Sequence, residues 1–474
     1  MKLAPCLILL IASLPAAAVP TTHVVLPEES IQAKIDVAVP GDIIAIFGGT
    51  YSQDVTVNKA VRLVEVKGEE VTITGNVTFA AVTDPPPFQG LTVGGPNKGI
   101  IVNDSGPLLI RNTGNTGNSG LGIKATGTSV VFVEGGSPDA ITANGARMEV
   151  SNATVTGGVS QGGAWLDIFN SIVGGSVSQS AGKLNIASST VGGLSSTGSA
   201  QETCCFRLVS TGDVNLASPK VWFGYSKARS FGFSGSNAKV AVIGSEIDGG
   251  KSQPIGAGDY AFFGMILAGT SNQYAIANSV IKGVPWAWKG GEVGIRCAGV
   301  GHRISILNNW LDFIPAARYW REYTGDGIKV EGNPVACRIL NNIITRAGYG
   351  LNAPFGVVDA RNNLMWALGD PAWTHRGGVA PVDTLYADPL AVVGTPPTLQ
   401  AGSPCINAGW TNPIFNDLDG TRNDIGPSGG CWYDPSGWTT EKPVVISYDL
   451  APEQVLGGDD PEVILSGGKA VSQP

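Results

Sequence analysis

A short unit of apolar and polar positions recurs along the middle of this chain. Val150-Ser-Asn152-Ala-Thr-Val155, Ile168-Phe-Asn170-Ser-Ile-Val173 and Ile186-Ala-Ser188-Ser-Thr-Val191 share one layout. In each, an apolar residue lies two before a small polar one, another lies three after it, and glycines follow. Asn152, Asn170 and Ser188 stand 18 and 18 residues apart. The unit returns at Val242-Ile-Gly244, Ile276-Ala-Asn278, Ile306-Leu-Asn308, Ile339-Leu-Asn341 and Ala360-Arg-Asn362, with steps of 34, 30, 33 and 21 residues from Gly244 onward. Constant offsets with variable spacing predict a solenoid, in which stacked strands share one core and surplus length bulges out as loops. The small polar residue marks a tight or left-handed turn, and stacked Asn side chains can hydrogen-bond along the axis as a ladder. An antiparallel β-sandwich with coincidental Asn turns would not keep one register eight times. The predicted fold is all-β, a single parallel β-helix.

The two ends of the chain read differently. Lys2 followed by the apolar run Leu7 to Leu14 and by Ala16-Ala17-Ala18 has the layout of a cleavable export signal over residues 1–18, with a mature start near Val19. That run is too short to cross a bilayer, and no later stretch is long and apolar enough. The solenoid is assigned to 19–433. Residues 434–474, rich in Pro, Gly and acidic residues, read as an extended tail that can lie along the helix.

Composition agrees with one elongated body. Sixty-six glycines, thirty prolines and only 14% charged residues mean many turns and few amphipathic helices, while 43% hydrophobic residues suffice for a long core. A net charge of -8 disfavours nucleic acid as a partner. Six cysteines follow the signal, an even number compatible with disulfides in an exported protein. Proximity along the chain suggests Cys405 with Cys431 and Cys297 with Cys337, whereas Cys204-Cys205 would form a vicinal pair or stay reduced.

Two segments carry a family resemblance. Ile31-Gln32-Ala-Lys-Ile35-Asp36, Pro40-Gly41-Asp42-Ile43-Ile44, Gly49-Thr50-Tyr51 and Val55-Thr-Val57 resemble the opening of pectin-lyase-like β-helix proteins. Ala387-Asp388-Pro389-Leu390, Leu399 to Gly409 and Asp417-Leu-Asp419-Gly-Thr-Arg422 resemble the closing segment of secreted bacterial members. The usual Ala-Ile-Asp is Cys405-Ile406-Asn407 here. The resemblance implies a right-handed parallel β-helix with an N-terminal capping helix, located outside the cell or on its surface. It leaves activity open, because this fold hosts lyases, hydrolases, epimerases, adhesins and inert stalks.

Candidate chemistry gathers between residues 282 and 346. Nine basic residues stand there against five acidic ones, a local reversal of sign in an acidic chain. Trp286, Trp288, Trp310, Tyr319, Trp320, Arg303 and Arg318 are the candidate sugar-binding residues, since aromatic faces stack on sugar rings and guanidinium forks clamp carboxylates. The competing reading is that these aromatics fill gaps beneath loops. A polygalacturonase-like hydrolase is disfavoured, because only Gly301-His302-Arg303 and a single Asp326 stand where its motifs would be. Gly291-Glu292-Val-Gly-Ile295-Arg296 followed by Asn308-Asn309 resembles the alginate-lyase and chondroitinase-B type, in which a downstream Lys and Arg act as base and acid. That resemblance places Lys329 or Arg321 as base, with Arg296 or Ca²⁺ neutralising a uronate; Asp326 and His302 complete the catalytic candidates. The competing reading of Gly325-Asp326-Gly327-Ile328 is a plain rung opening. No residue pattern defines a metal site. Asn416-Asp417-Leu-Asp419-Gly420 offers oxygens to Ca²⁺ but reads better as a turn. The expected function is binding, with or without β-elimination, of an extracellular acidic polysaccharide by a monomer. The alternative is a non-catalytic surface or matrix protein that binds glycans or proteins.

Overall fold

Alternating in-and-out side chains let each short strand bury one face inside the coil while its backbone pairs with the rungs above and below. A computed structural model of the chain describes residues 19–430 except 67–68, 96, 112–121, 250, 257–258, 284–292, 314–324, 356–357, 369–373, 378–379 and 393–397, and, within 444–471, four short strands; for 251–263 and 283 it describes backbone only. The result is a parallel β-solenoid of about 14 turns.

Three parallel stacks run along it. Sheet A climbs from Val55–Val57 through Val77–Ala80 to Val293–Cys297, Asp326–Val330, Tyr349–Asn352 and His375–Arg376. Sheet B passes through Arg147–Ser151, Lys220–Gly224 and Arg303–Leu307 to Val358–Arg361. Sheet C runs from Thr154–Val155 through Trp310–Phe313 to Leu364–Trp366. Val25, Ile44, Val150, Val155, Phe223, Ile306 and Ile328 belong to one continuous buried core. Helix Ile31–Val37 closes the N-terminal end: Ser30 caps it by accepting from the Ala33 N–H, and Ile31 and Ile35 turn into the core.

The turn from sheet B to sheet C explains the repeat. Asn152, Asn170, Ser188, Gly244, Asn278, Asn308, Asn341 and Asn362 are all left-handed, with φ between 46° and 58°. Asn and Gly tolerate this region best. Arg207 and Tyr225 adopt it too, at 50° and 48°. They reveal two coils between Ser188 and Gly244 that the Asn/Ser/Gly pattern passes over, since neither residue favours that conformation. The hydrogen-bonded ladder sits one residue further on. Ser171 accepts from the Ala153 N–H, Ser279 from Ser245, Asn309 from Ser279, Asn342 from Asn309 and Asn363 from Asn342. One residue therefore bends the chain and its successor ties adjacent rungs together.

Four of the left-handed asparagines, Asn278, Asn308, Asn341 and Asn362, point outward and are covered by a C-terminal strap, residues 403–430. Asn362 donates to Ala408 O, Asn341 accepts from the Trp410 N–H, Asn308 donates to Asn423 and Asp424, and Asn278 donates to Pro427 O. The strap thus runs back along the solenoid, toward its N-terminal end. Phe415 and Trp410 seal Ala277, Leu307 and Leu340 beneath it. In the tail, Val444–Val445 pairs with Ala470–Val471 and Asp449–Ala451 with Ile464–Ser466, both antiparallel.

The expected Cys297–Cys337 disulfide does not form; both residues are separate buried thiols on the inward faces of sheets A and B. Cys204 and Cys205 do not bridge each other, because successive strand residues face opposite ways. Cys205 enters the core and Cys204 joins an outer cluster. Cys405 is a buried thiol, and Cys431 lies outside the described residues.

Candidate functional site

A second repeat governs sheet A. Phe263-Gly-Met-Ile266-Leu, Val293-Gly-Ile-Arg296-Cys, Asp326-Gly-Ile-Lys329-Val and Tyr349-Gly-Leu-Asn352-Ala occupy successive rungs, with Ile266, Arg296, Lys329, Asn352 and Arg376 in one register file. The glycines are required by packing against sheet C. A Cβ on Gly327 would lie 2.6 Å from Ile344 Cγ2, and one on Gly294 would lie 2.8 Å from Leu311 and Phe313. Gly327 is thus a packing residue. The outward positions flanking each glycine are free of that constraint, and there the side chains turn from apolar (Ile266, Val293) to polar and charged.

Asp326 and Lys329 share one strand, and Arg296 pairs with Lys329 from the rung before. Glu331 ties the two cations together: it accepts from Arg296 Nη2 at 2.7 Å and from Lys329 Nζ at 2.5 Å. Burial pushes the Glu331 carboxyl up, but these donors and charges outweigh it and hold the pKa below its ordinary value. Asp326 is buried, accepts from Asn352 Nδ2 at 2.9 Å, and has its pKa raised. Burial is the main cause; the Asn352 hydrogen bond and the charges of Lys329 and Arg376 pull the other way. Arg376 lies 5.6 Å over the ring of Tyr349. Arg296, Lys329, Asp326, Glu331, Tyr349, Asn352 and Arg376 therefore form one surface. Segments 284–292, 314–324 and 369–373, which join sheet C to these sheet A strands, lie outside the described residues.

The remaining candidates are elsewhere. His302 sits in the turn from sheet A to sheet B. It is buried, its Nδ1 accepts from the Asn272 N–H at 3.1 Å, and its Nε2 faces Ala298 O at 3.1 Å. Those contacts select the neutral Nε2–H tautomer, and burial lowers its pKa. Both nitrogens serve the turn. Trp310 belongs to sheet C, where it packs on Cys405 and Ile425 of the strap and faces Thr345 Oγ1 at 3.2 Å. Arg303 opens a strand of sheet B. Trp286, Trp288, Arg318, Tyr319, Trp320 and Arg321 lie outside the described residues. The basic window thus divides among three faces, and Arg346 and Lys282 pair with acids on sheet C.

Glu331, Asn352, Tyr349 and Arg376 were not among the candidates read from the sequence. For Tyr349 and Asn352 the signal was the X-Gly-apolar-X repeat, which aligns Tyr349 with Asp326 and Asn352 with Lys329.

The Asp417 to Asp424 region forms turns: Asp417 accepts from the Gly430 N–H at 2.6 Å, and Asp419 accepts from Thr421. Among the described residues no group of three or more His, Cys, Asp or Glu is placed to hold a metal ion. Nor is any helix of the described residues long and apolar enough to cross a membrane. No protein-family model matches this chain, and no curated protein matches its sequence.

Proposed function

We propose that the outward face of sheet A, across its C-terminal rungs, binds an acidic polysaccharide outside the cell. The observation that carries this reading is the file Arg296–Lys329–Asn352–Arg376, one side chain per rung. Rungs repeat at about 4.8 Å, so cations and an amide donor are presented at intervals comparable to one sugar unit. Guanidinium and ammonium groups match carboxylate or sulfate, Asn352 offers hydrogen bonds to hydroxyls, and Tyr349 gives a ring face for stacking. In a chain of net charge -8, such a file is where an anionic polymer would settle. The export-signal layout and the pectin-lyase-like resemblance support the same reading.

A second reading, cleavage by β-elimination, is favoured by Asp326. Arg296 would neutralise the uronate carboxylate and Lys329 would take the ring proton next to it. The bond to the leaving oxygen then breaks as the ring double bond forms, and the raised carboxyl of Asp326 returns a proton to that oxygen. Against it stands Glu331, which holds Lys329 and Arg296 as paired cations rather than leaving an amine ready to accept a proton. Binding is the stronger reading.

The test is a titration of the full chain with pectate, alginate and glycosaminoglycans, with and without Ca²⁺, alongside ultraviolet detection of unsaturated product. Replacing Arg296 and Lys329 together by Ala is expected to weaken binding by about tenfold or more, ~1.4 kcal/mol, and to flatten its salt dependence. Unchanged affinity would overturn the site. Product released by the native chain, and abolished by Lys329→Ala, would establish the elimination.

A further inference from the structure

The strap follows one corner of the solenoid toward the N-terminal end, and the apolar surface it covers continues beyond its last described residue. Under the strap lie Ala277, Leu307 and Leu340, outward residues of sheet B next to the left-handed turn. The same file continues through Ile243, Gly224, Phe206, Ala187 and Phe169. Beside it Ala241, Trp222 and Cys204 form the neighbouring file, with Tyr225 at the turn. These residues make one aromatic cluster: the ring of Phe206 stacks on Trp222 at 6.0 Å and meets Tyr225 edge-on at 5.9 Å. The cluster faces outward, yet Trp222 is 4% and Phe206 7% exposed, as secluded as Leu307 at 5% under the strap. A single tryptophan on a sheet surface normally keeps part of its large face in water.

The described strap ends at the Asn278 rung, where the stripe begins. Gly429 O accepts from Asn278, the left-handed residue of the rung next to Gly244, and the sequence then reads Cys431-Trp432-Tyr433-Asp-Pro-Ser-Gly-Trp438. Residues 431–443 can span up to about 43 Å at ~3.3 Å each. The rungs from Gly244 back to Asn170 need only about 19 Å at ~4.8 Å per step.

We propose that residues 431–443 continue the strap over the outward apolar stripe of sheet B, with Trp432, Tyr433 and Trp438 covering Phe206, Trp222, Tyr225 and Ile243. The occupant is this chain's own segment because the strap already covers the adjoining rungs, its described end lies one rung from Gly244, and the segment that follows is aromatic and long enough. The covered surface lies on sheet B, away from the cationic file of sheet A, so the strap leaves the polysaccharide face open.

Hydroxyl-radical footprinting of the full chain tests this. Trp222 and Phe206 are expected to be protected like Trp310, which lies under the described strap. The triple variant Trp432→Ser, Tyr433→Ser, Trp438→Ser is expected to raise labelling of Trp222 severalfold while Trp310 stays protected. The reciprocal variant, Phe206→Ser with Trp222→Ser, is expected to expose Trp432 and Trp438 to labelling. Protection of Trp222 that survives the triple variant would overturn the proposal, as would equally fast labelling in the native chain. Protection that disappears on dilution of the native chain would assign the stripe to a second copy and overturn it too.

Discussion

Replacing Asn342 by Ala removes the middle of the asparagine ladder. Its Oδ1 accepts from the backbone N–H of Asn309 at 2.9 Å and from Asn309 Nδ2 at 3.0 Å. Its Nδ2 donates to Ile306 O at 2.9 Å, Leu340 O at 3.0 Å and Asn363 Oδ1 at 3.0 Å. Asn342, Asn309 and Asn363 are all buried. Alanine leaves two donors of Asn309 without their acceptor inside the coil. Each buried unsatisfied group costs about 1–3 kcal/mol, so a local loss of ~3 kcal/mol is expected. A solenoid of many turns opens rung by rung rather than as one unit. The assay is therefore native-state hydrogen exchange of the turns around Asn309 and Asn342, compared with the rungs near Asn170. At 1.36 kcal/mol per decade, ~3 kcal/mol corresponds to amides exchanging about 150-fold faster in the perturbed turns. The distant rungs should exchange as before. A change below about threefold, which is under ~0.7 kcal/mol, would refute the claim that the ladder holds these turns.

Three further outcomes are expected. Asp326 has a pKa raised above its ordinary value of 3.8, so its contribution is fully present below that pH and is lost as pH rises through the folded value. Melting temperatures of native chain and Asp326→Asn should therefore diverge as pH rises, the variant being the more stable at neutral pH; a constant gap would contradict it. Gly327→Ala places a Cβ 2.6 Å from both Ile344 Cγ2 and Gly350 O, and overpacking of this kind costs about 1–3 kcal/mol, measurable as a lower denaturation midpoint. Cys297 and Cys405, with pKa values pushed by burial up to about 12 and about 11, should resist thiol reagents until the chain unfolds; rapid labelling of native protein would count against their burial.

The solenoid was legible because its periodicity is written in residue types with narrow conformational roles. Asn152, Asn170, Asn278, Asn308, Asn341 and Asn362 mark left-handed turns, and few residues do so cheaply. Arg207 and Tyr225 escaped for the converse reason: tertiary context holds them there against their own preference. The ladder was legible in kind but misplaced by one residue, because Ser171, Ser279, Asn309 and Asn342 follow the turn residues so closely that sequence cannot say which of the two points inward.

The candidate surface was legible in part. Arg296, Asp326 and Lys329 could be drawn from charge and motif, and they share one face. His302 and Trp310 came from the same window of sequence but sit in a buried turn and under the strap. A window of charge says nothing of which of three sheets each residue faces, since one turn of the coil passes through all of them. Glu331 was counted only as an opposing charge, whereas its position makes it the partner of both cations.

Sequence by itself determined that this chain coils, where it bends, and which stretch carries its unusual positive charge, because those depend on local conformational preference and on period. Tertiary structure alone decided which charges meet, that Cys297 and Cys337 remain thiols, and that residues 403–430 run back across rungs from 46 to 149 positions earlier. Those outcomes rest on register between turns and on burial, which couple residues distant in sequence and leave no local trace in it.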